Sequence, residues 1–130
     1  MTCSWNVFSD EILRSIIIKK ITTIIKIKIM VKLVVMYGHP VDPAAFEAYY
    51  SETHLPIASK IKGLSRVEFT KFVGTPDGGK PSQYRMAELY FETIEELQKQ
   101  MGSPEGQAAV NDIPHFASGG VDVMIGEVQS

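Results

Sequence analysis

V-K-L-V-V-M-Y-G, residues 31–38, is the stretch on which the fold turns. It is rich in β-branched residues, apolar almost throughout and closed by Gly38-His39-Pro40, which predicts a strand. Side chains alternate across a strand, so Leu33 and Val35 face one side and Val34 and Met36 the other. Both sides are apolar. A sheet of such strands needs cover on both faces.

Working outward, residues 43–60 read as a helix. Asp42 supplies a capping side chain and Pro43 sits at the first helical position. Gly63 ends its exit turn. Residues 64–74 form a second strand, with Val67, Phe69 and Val73 on one face. T-P-D-G-G-K-P-S, residues 75–82, is a hairpin loop by composition. Residues 83–91 return as a third strand, antiparallel to the second, on which Tyr84 and Glu88 share a face and Arg85 points the other way. An inward Arg85 or Glu88 is expected to pair across a dimer. Thr93, with Glu96 three residues on, is a capping box opening a helix over 93–101. Gly102 stops that helix, and Ser103-Pro104 starts a shorter one that runs to about residue 111. Residues 112–120 read as a loop and residues 121–128 as the last strand.

The order strand, helix, strand, strand, helix, strand is that of an α+β, ferredoxin-like βαββαβ sandwich. Its helices cover one sheet face. With no helices left for the other, a second subunit is the natural cover, so the expected assembly is a homodimer packed sheet on sheet.

Composition agrees with one ordinary globular domain: 130 residues, 45% hydrophobic and 22% charged. A chain of this size buries a core without disulfides or a metal. The single cysteine, Cys3, supports neither a disulfide nor a cysteine metal cluster, which fits a reducing, cytoplasmic setting. A formal net charge of −2 argues against a nucleic-acid module. Residues 1–29 differ from the rest. Nine isoleucines crowd them, with five basic side chains against two acidic ones. Lysines interrupt every apolar run, so no membrane-spanning helix is expected. Three readings stay open: an amphipathic surface helix, an added strand, or translated upstream sequence with Met30 as the natural start of a domain over 30–130.

The chemistry concentrates in F-E-A-Y-Y-S-E-T-H-L-P-I-A, residues 46–58. On a helical wheel Phe46, Tyr49, Tyr50 and Thr53 share a face, with His54 at its edge. Pro56 removes a backbone donor and disturbs the turn around His54. One imidazole therefore sits at a helix break beside two phenols, over an aromatic floor suited to an apolar small molecule. Imidazole titrates near neutrality and suits proton transfer. The plain alternative is a histidine that caps its own helix end, or a buried one satisfied by its neighbours. Gly78-Gly79-Lys80 lies in a hairpin, so it is no phosphate loop, and no dinucleotide fingerprint or G-x-S-x-G appears. No organic cofactor is implied. His39 and His115 neighbour prolines in loops, and no ligand spacing supports a metal.

From residue 30 to about 129 the chain resembles the EthD family, named for ethyl tert-butyl ether degradation, within the dimeric α/β-barrel superfamily. The resemblance is carried by the opening strand, by Y-Y-x-x-x-H-x-P, by G-L-S-R-V-E, by Y-R-M-A-E-L-Y-F-E-T-I-E-E-L and by S-P-E-G-Q-A-A-V-N-D with Phe116. It implies two subunits that close their sheets into a barrel, and a pocket between sheet and helices in each. It places His54 at the family's motif histidine and Asp112 at an acidic position after the second helical region. Relatives include cofactor-free monooxygenases, polyketide cyclases and muconolactone isomerase, and a shared fold does not transfer a reaction among them. On this reading Asp112 orients His54 or acts as a base itself; its plain alternative is helix-end capping. Tyr49 and Tyr50 line the pocket, Phe46 floors it and Phe116 closes it, with core packing as their alternative. The chain is then a small lyase, isomerase, cyclase or cofactor-free oxidoreductase, a non-catalytic carrier of a hydrophobic metabolite, or a purely structural dimer.

Overall fold

The computed structural model describes Leu13, Arg14, Ile17 and residues 29–129. Apart from those three positions and Ile29, the readings of residues 1–29 lie outside the described residues.

Four strands form one sheet: β1 (Val31–Tyr37), β2 (Arg66–Lys71), β3 (Arg85–Phe91) and β4 (Val121–Glu127). Their order is β2-β3-β1-β4, and every neighbouring pair is antiparallel. Between β1 and β2 run α1 (Pro43–Tyr49), a π turn (Tyr50–His54) and α2 (Leu55–Ala58). Between β3 and β4 run α3 (Ile94–Met101), α4 (Pro104–Asp112) and a 3-10 turn (Ile113–His115). This is the ferredoxin-like α+β sandwich expected of the sequence. Within the one chain the sheet is open, with β2 and β4 at its edges.

Local chemistry explains the helix starts. Asp42, Thr93 and Ser103 each accept a hydrogen bond from the backbone N–H three residues on, at 3.2, 3.1 and 3.2 Å. Pro43 and Pro104 follow two of these caps, where a missing N–H costs nothing. Gly63, at φ +76°, turns the chain out of the first helical arm in a conformation that side-chain-bearing residues resist.

The core lies between sheet and helices. Val31, Leu33, Val35 and Tyr37 alternate inward along β1, opposite Phe91, Leu89, Ala87 and Arg85 of β3. Phe46, Tyr50, Leu97, Ala109 and Ile113 pack onto them from the helical layer. Among the described residues no helix is long and apolar enough to cross a membrane.

Several expectations need correction. β2 is six residues long, and Val73, expected on its inner face, lies beyond its end and is 96% exposed. There the chain has already left the sheet for the 75–82 loop, where Thr75 and Asp77 side chains bond the Gly79 N–H. Tyr84 does not share a face with Glu88. It precedes β3, donates its N–H to the Tyr37 carbonyl, and packs edge-on against Phe46 on the helical side. Arg85 and Glu88 find partners inside the chain: Arg85 with Glu47 of α1, Glu88 with Lys32 of β1. The sheet face away from the helices carries Val34, Met36, Met86 and Met124, but it also holds a polar network. Lys32 donates to Glu88 at 2.6 Å, the Tyr90 hydroxyl donates to Glu68 and Glu88, and the Arg66 guanidinium lies 4.1 Å over the Tyr90 ring.

Candidate active site

The helical arm that carries His54 is not one continuous α-helix. The Leu55 N–H donates to the Tyr50 carbonyl, five residues back rather than four. Pro56 has no N–H to give and its ring resists an α-helical neighbour four residues earlier, so the turn before it widens. The Ser51 hydroxyl donates to the Glu47 carbonyl at 2.9 Å and holds the preceding turn. Because the wide turn takes one more residue to close, residues after Tyr50 lag the α-helical phase. His54, expected at the edge of the inner face, is instead buried at its centre, and Thr53 is exposed.

Asp112 is not in a loop. It is the last residue of α4, and that helix end brings its carboxylate across to the π turn. His54 Nδ1 lies 2.9 Å from Asp112 Oδ2, and the Tyr49 hydroxyl donates to Asp112 Oδ1 at 2.6 Å. Burial favours protonating the Asp112 carboxyl, but the hydrogen bonds from Tyr49 and His54 and the nearby His54 and His115 outweigh it and hold its pKa below the usual carboxylate value. An ionised carboxylate only accepts, so His54 Nδ1 carries the hydrogen and donates. In the neutral imidazole that leaves Nε2 as a lone pair, with no hydrogen-bond partner among the described residues. Tyr49 keeps its proton, raised above its ordinary value by the bond to Asp112, by burial and by the carboxylate's charge.

His54 sits in an aromatic setting. Its ring stacks on Tyr50 at 5.7 Å and lies 4.5 Å from Phe116. Phe116 also touches Tyr37, Phe46 and Tyr49, so it wedges the cluster together rather than hanging over an opening. The close approach of Gly38 to Gly119, where a Cβ on either would collide with backbone, brings the 116–120 segment onto this cluster.

Beside His54 lies an apolar cavity of about 210 Å³ between sheet and helices. His54 and Tyr50 line it with Tyr37, Leu33, Val35 and Leu89, among others. Phe46, Tyr49, Asp112 and Phe116 do not. Phe46, almost fully buried, together with Tyr49 and Phe116 lines a separate surface cleft of about 370 Å³ with His115 and Asp42. The six expected residues thus gather in one place but divide in role: two face the cavity and four stand behind them.

The sequence reading missed Tyr37. It is the innermost tyrosine of the cluster, and burial, then Tyr50 and Asp112, push its hydroxyl well above its ordinary pKa, so it stays a neutral donor. The signal was available, since Tyr37 continues the inward 31-33-35 alternation. Tyr50 is also held neutral, pushed up to about 12 chiefly by burial, with Arg85 pulling the other way. Its hydroxyl is buried with no hydrogen-bond partner, an arrangement that costs stability and calls for an explanation. Beneath it Arg85 grips Glu47 through two bonds, at 2.9 and 2.7 Å, and lies 5.1 Å over the Tyr50 ring. His39 is occupied elsewhere, its Nε2 donating to the Pro81 carbonyl at 2.7 Å.

A four-stranded antiparallel sheet with helices on one face defines a ferredoxin-like scaffold. The family model of the EthD domain matches residues 38–120, and the chain belongs to that family. An uncharacterized 11.0 kDa protein from the thcB-thcC intergenic region of Rhodococcus erythropolis is 42% identical over 95 residues, 73% of this chain and 91% of that one. An EthD family protein from Bacillus halodurans, known by crystal structure, is 40% identical with a TM-score of 0.72, covering 77% of this chain and 99% of its own. At 12% identity the fold recurs in a cofactor-independent oxygenase from Streptomyces nogalater (TM-score 0.57; 78% and 94% covered) and a hydroxynitrile lyase from Passiflora edulis (TM-score 0.60; 79% and 96% covered).

Proposed function

We propose that the chain is a small enzyme without organic cofactor that moves a proton on an apolar, oxygenated molecule held in the 210 Å³ cavity. The observation that carries this is the Tyr49–Asp112–His54 chain, which runs from the surface cleft inward to a buried histidine at the cavity wall. It leaves the Nε2 lone pair as the base. Nε2 takes a proton from carbon beside a carbonyl, and the C–H electron pair moves into that carbonyl. The Tyr50 hydroxyl, now without a partner, donates to the oxygen that gains charge. Return of the proton at a different atom completes an isomerisation; loss of a leaving group from the same intermediate completes an elimination. The fold recurs in distant proteins named as an oxygenase and a lyase, so the fold by itself does not choose the reaction.

A second copy of the chain covers the free sheet face on this reading, because Val34, Met36, Met86 and Met124 sit there without helices over them. Sedimentation at micromolar concentration checks it, with a stable monomer as the overturning result.

The reaction is tested without knowing the natural substrate. Hydrogen–deuterium exchange beside the carbonyl of 2-butanone is followed by NMR in D2O. Wild type should accelerate it, and His54→Gln should lose about 10²–10⁴ of that rate, the usual contribution of a general base. If both bind the ketone equally and neither accelerates exchange, the chain is a carrier and not an enzyme.

A further inference from the structure

The cavity beside His54 does not end at its own wall. A second apolar space of about 330 Å³ adjoins it, and Leu55, Ala58, Phe69 and Leu89 line both. The outer space adds Leu64, Val67 and Ser59 and opens along β2. Phe69 stands at the junction. It is on the inner face of β2, pairs with Ala87 of β3, and presents its edge to Tyr50 at 6.4 Å. It is also 49% exposed, which for a large aromatic on an inner face needs a reason.

Size decides what the two spaces hold. Ligand sites for organic molecules of moderate size occupy roughly 300–1,000 Å³. The inner cavity, at about 210 Å³, falls short of that alone. Together the two spaces reach it. The titratable side chains are on the inner part, which His54 and Tyr50 line. In the outer part the serine at its rim is the one polar residue.

We propose that the substrate is elongated: an oxygenated head at His54 and Tyr50 and an apolar tail that passes Phe69 and Ala58 into the groove walled by Leu64 and Val67. The inference rests on the function proposed above and adds the substrate's shape and the residues that select for it. Ala58 lines both spaces, so a larger side chain there intrudes on both. Val67 touches only the tail.

The test is a series of straight-chain methyl ketones, 2-butanone, 2-hexanone, 2-octanone and 2-decanone, titrated calorimetrically into the full chain. Affinity should rise with length by roughly fourfold per methylene, the factor corresponding to about 0.8 kcal/mol per buried CH2. Val67→Ser should flatten that rise for the longer members and leave 2-butanone unchanged. Val67→Trp, which fills the outer space alone, should cut 2-decanone affinity at least tenfold and again spare 2-butanone, whose unchanged binding shows that the variant is folded. If wild type binds 2-butanone and the series is flat, the groove takes no tail and the inference is wrong, while the proton-transfer site stands. If no ketone binds at all, the reading of the site fails and this inference with it.

Discussion

Two side-chain pairs tie the first helical arm to the rest of the chain, and they are built to different ends. His54–Asp112 joins the π turn to the end of α4, with both side chains less than a tenth exposed. Glu47–Arg85 joins α1 to β3 and is half-exposed, with Lys71 Nζ adding a third contact at 3.2 Å. Both touch Tyr50, one by stacking on it and the other by lying over its ring. The arginine fork uses the full geometry of both partners and leaves nothing over. The imidazole pair uses one ring nitrogen and leaves the other without a partner among the described residues, on a ring that lines the cavity. A permanent charge with two satisfied bonds makes a clamp; a titratable ring with a free lone pair makes a reagent.

The largest effect that separates the pairs is on stability. Asp112→Ala removes the acceptor of both Tyr49 and His54 and leaves one buried donor, His54, and one half-buried one, Tyr49, unpaired. Leaving a buried hydrogen-bonding group unsatisfied costs about 1–3 kcal/mol. Chemical denaturation should therefore show a loss of about that size. A loss under about 1 kcal/mol would mean that water reaches His54 in place of the carboxylate, and the buried relay would no longer distinguish this pair.

The pH dependence comes next. The Asp112 carboxyl is held below its ordinary value of 3.8 in the folded chain. A depressed carboxylate contributes stability above its unfolded pKa and loses it as pH falls through the folded one. Urea midpoints for wild type and Asp112→Asn should be well separated at pH 6 and converge below about pH 4. Separation that persists unchanged to pH 2 would place the contribution in packing rather than ionisation.

The clamp should yield less. Glu47 is also held below its usual value, by the Arg85 hydrogen bonds against burial and then by Lys71. Because this pair is in contact with solvent, Glu47→Gln should cost about 1 kcal/mol or less, and the cost should shrink in 1 M salt. Ketone exchange should stay within about twofold of wild type. A hundredfold loss of exchange would place Arg85, which lies over the Tyr50 ring, in the reaction and erase the contrast between clamp and reagent.

How much of this was legible beforehand follows from the range of each cause. The caps at Asp42, Thr93 and Ser103 were readable because each is satisfied three residues away. The strand order followed from punctuation between apolar runs, and the inward side of β1 from strict alternation. Phase was harder. The Pro56 break was readable, but the wide turn it induces shifts every later residue around the helix axis, which is why Thr53 and His54 exchanged places. Parity also fails at strand ends, and Tyr84, one residue before β3, turned to the side opposite the one its numbering gives. The partners of Arg85 and the helical placement of Asp112 depend on contacts 38 and 58 residues apart in sequence. No local pattern carries those. His54 and Asp112 were paired in advance by family resemblance, not by spacing.

The smallest effect expected is that of removing residues 1–29. Both pairs draw on residues 47–112, and the cavity is lined by residues from Leu33 onward. At the sheet's end the Val128 N–H donates to the Met30 carbonyl at 2.9 Å, so pairing of the two strands extends to Met30. We propose that the domain is self-contained from Met30. A chain starting there should melt within a few degrees of the full one, since about 1 kcal/mol shifts a domain near 100 residues by about 4–8 °C. Its ketone exchange should be unchanged. A fall of 10 °C or more would mean that the isoleucines pack against the domain, most naturally on the sheet face that the helices leave open. In that case the second subunit is not the only cover for that face, and loss of dimer on truncation would tell whether the leader supports the assembly or replaces it.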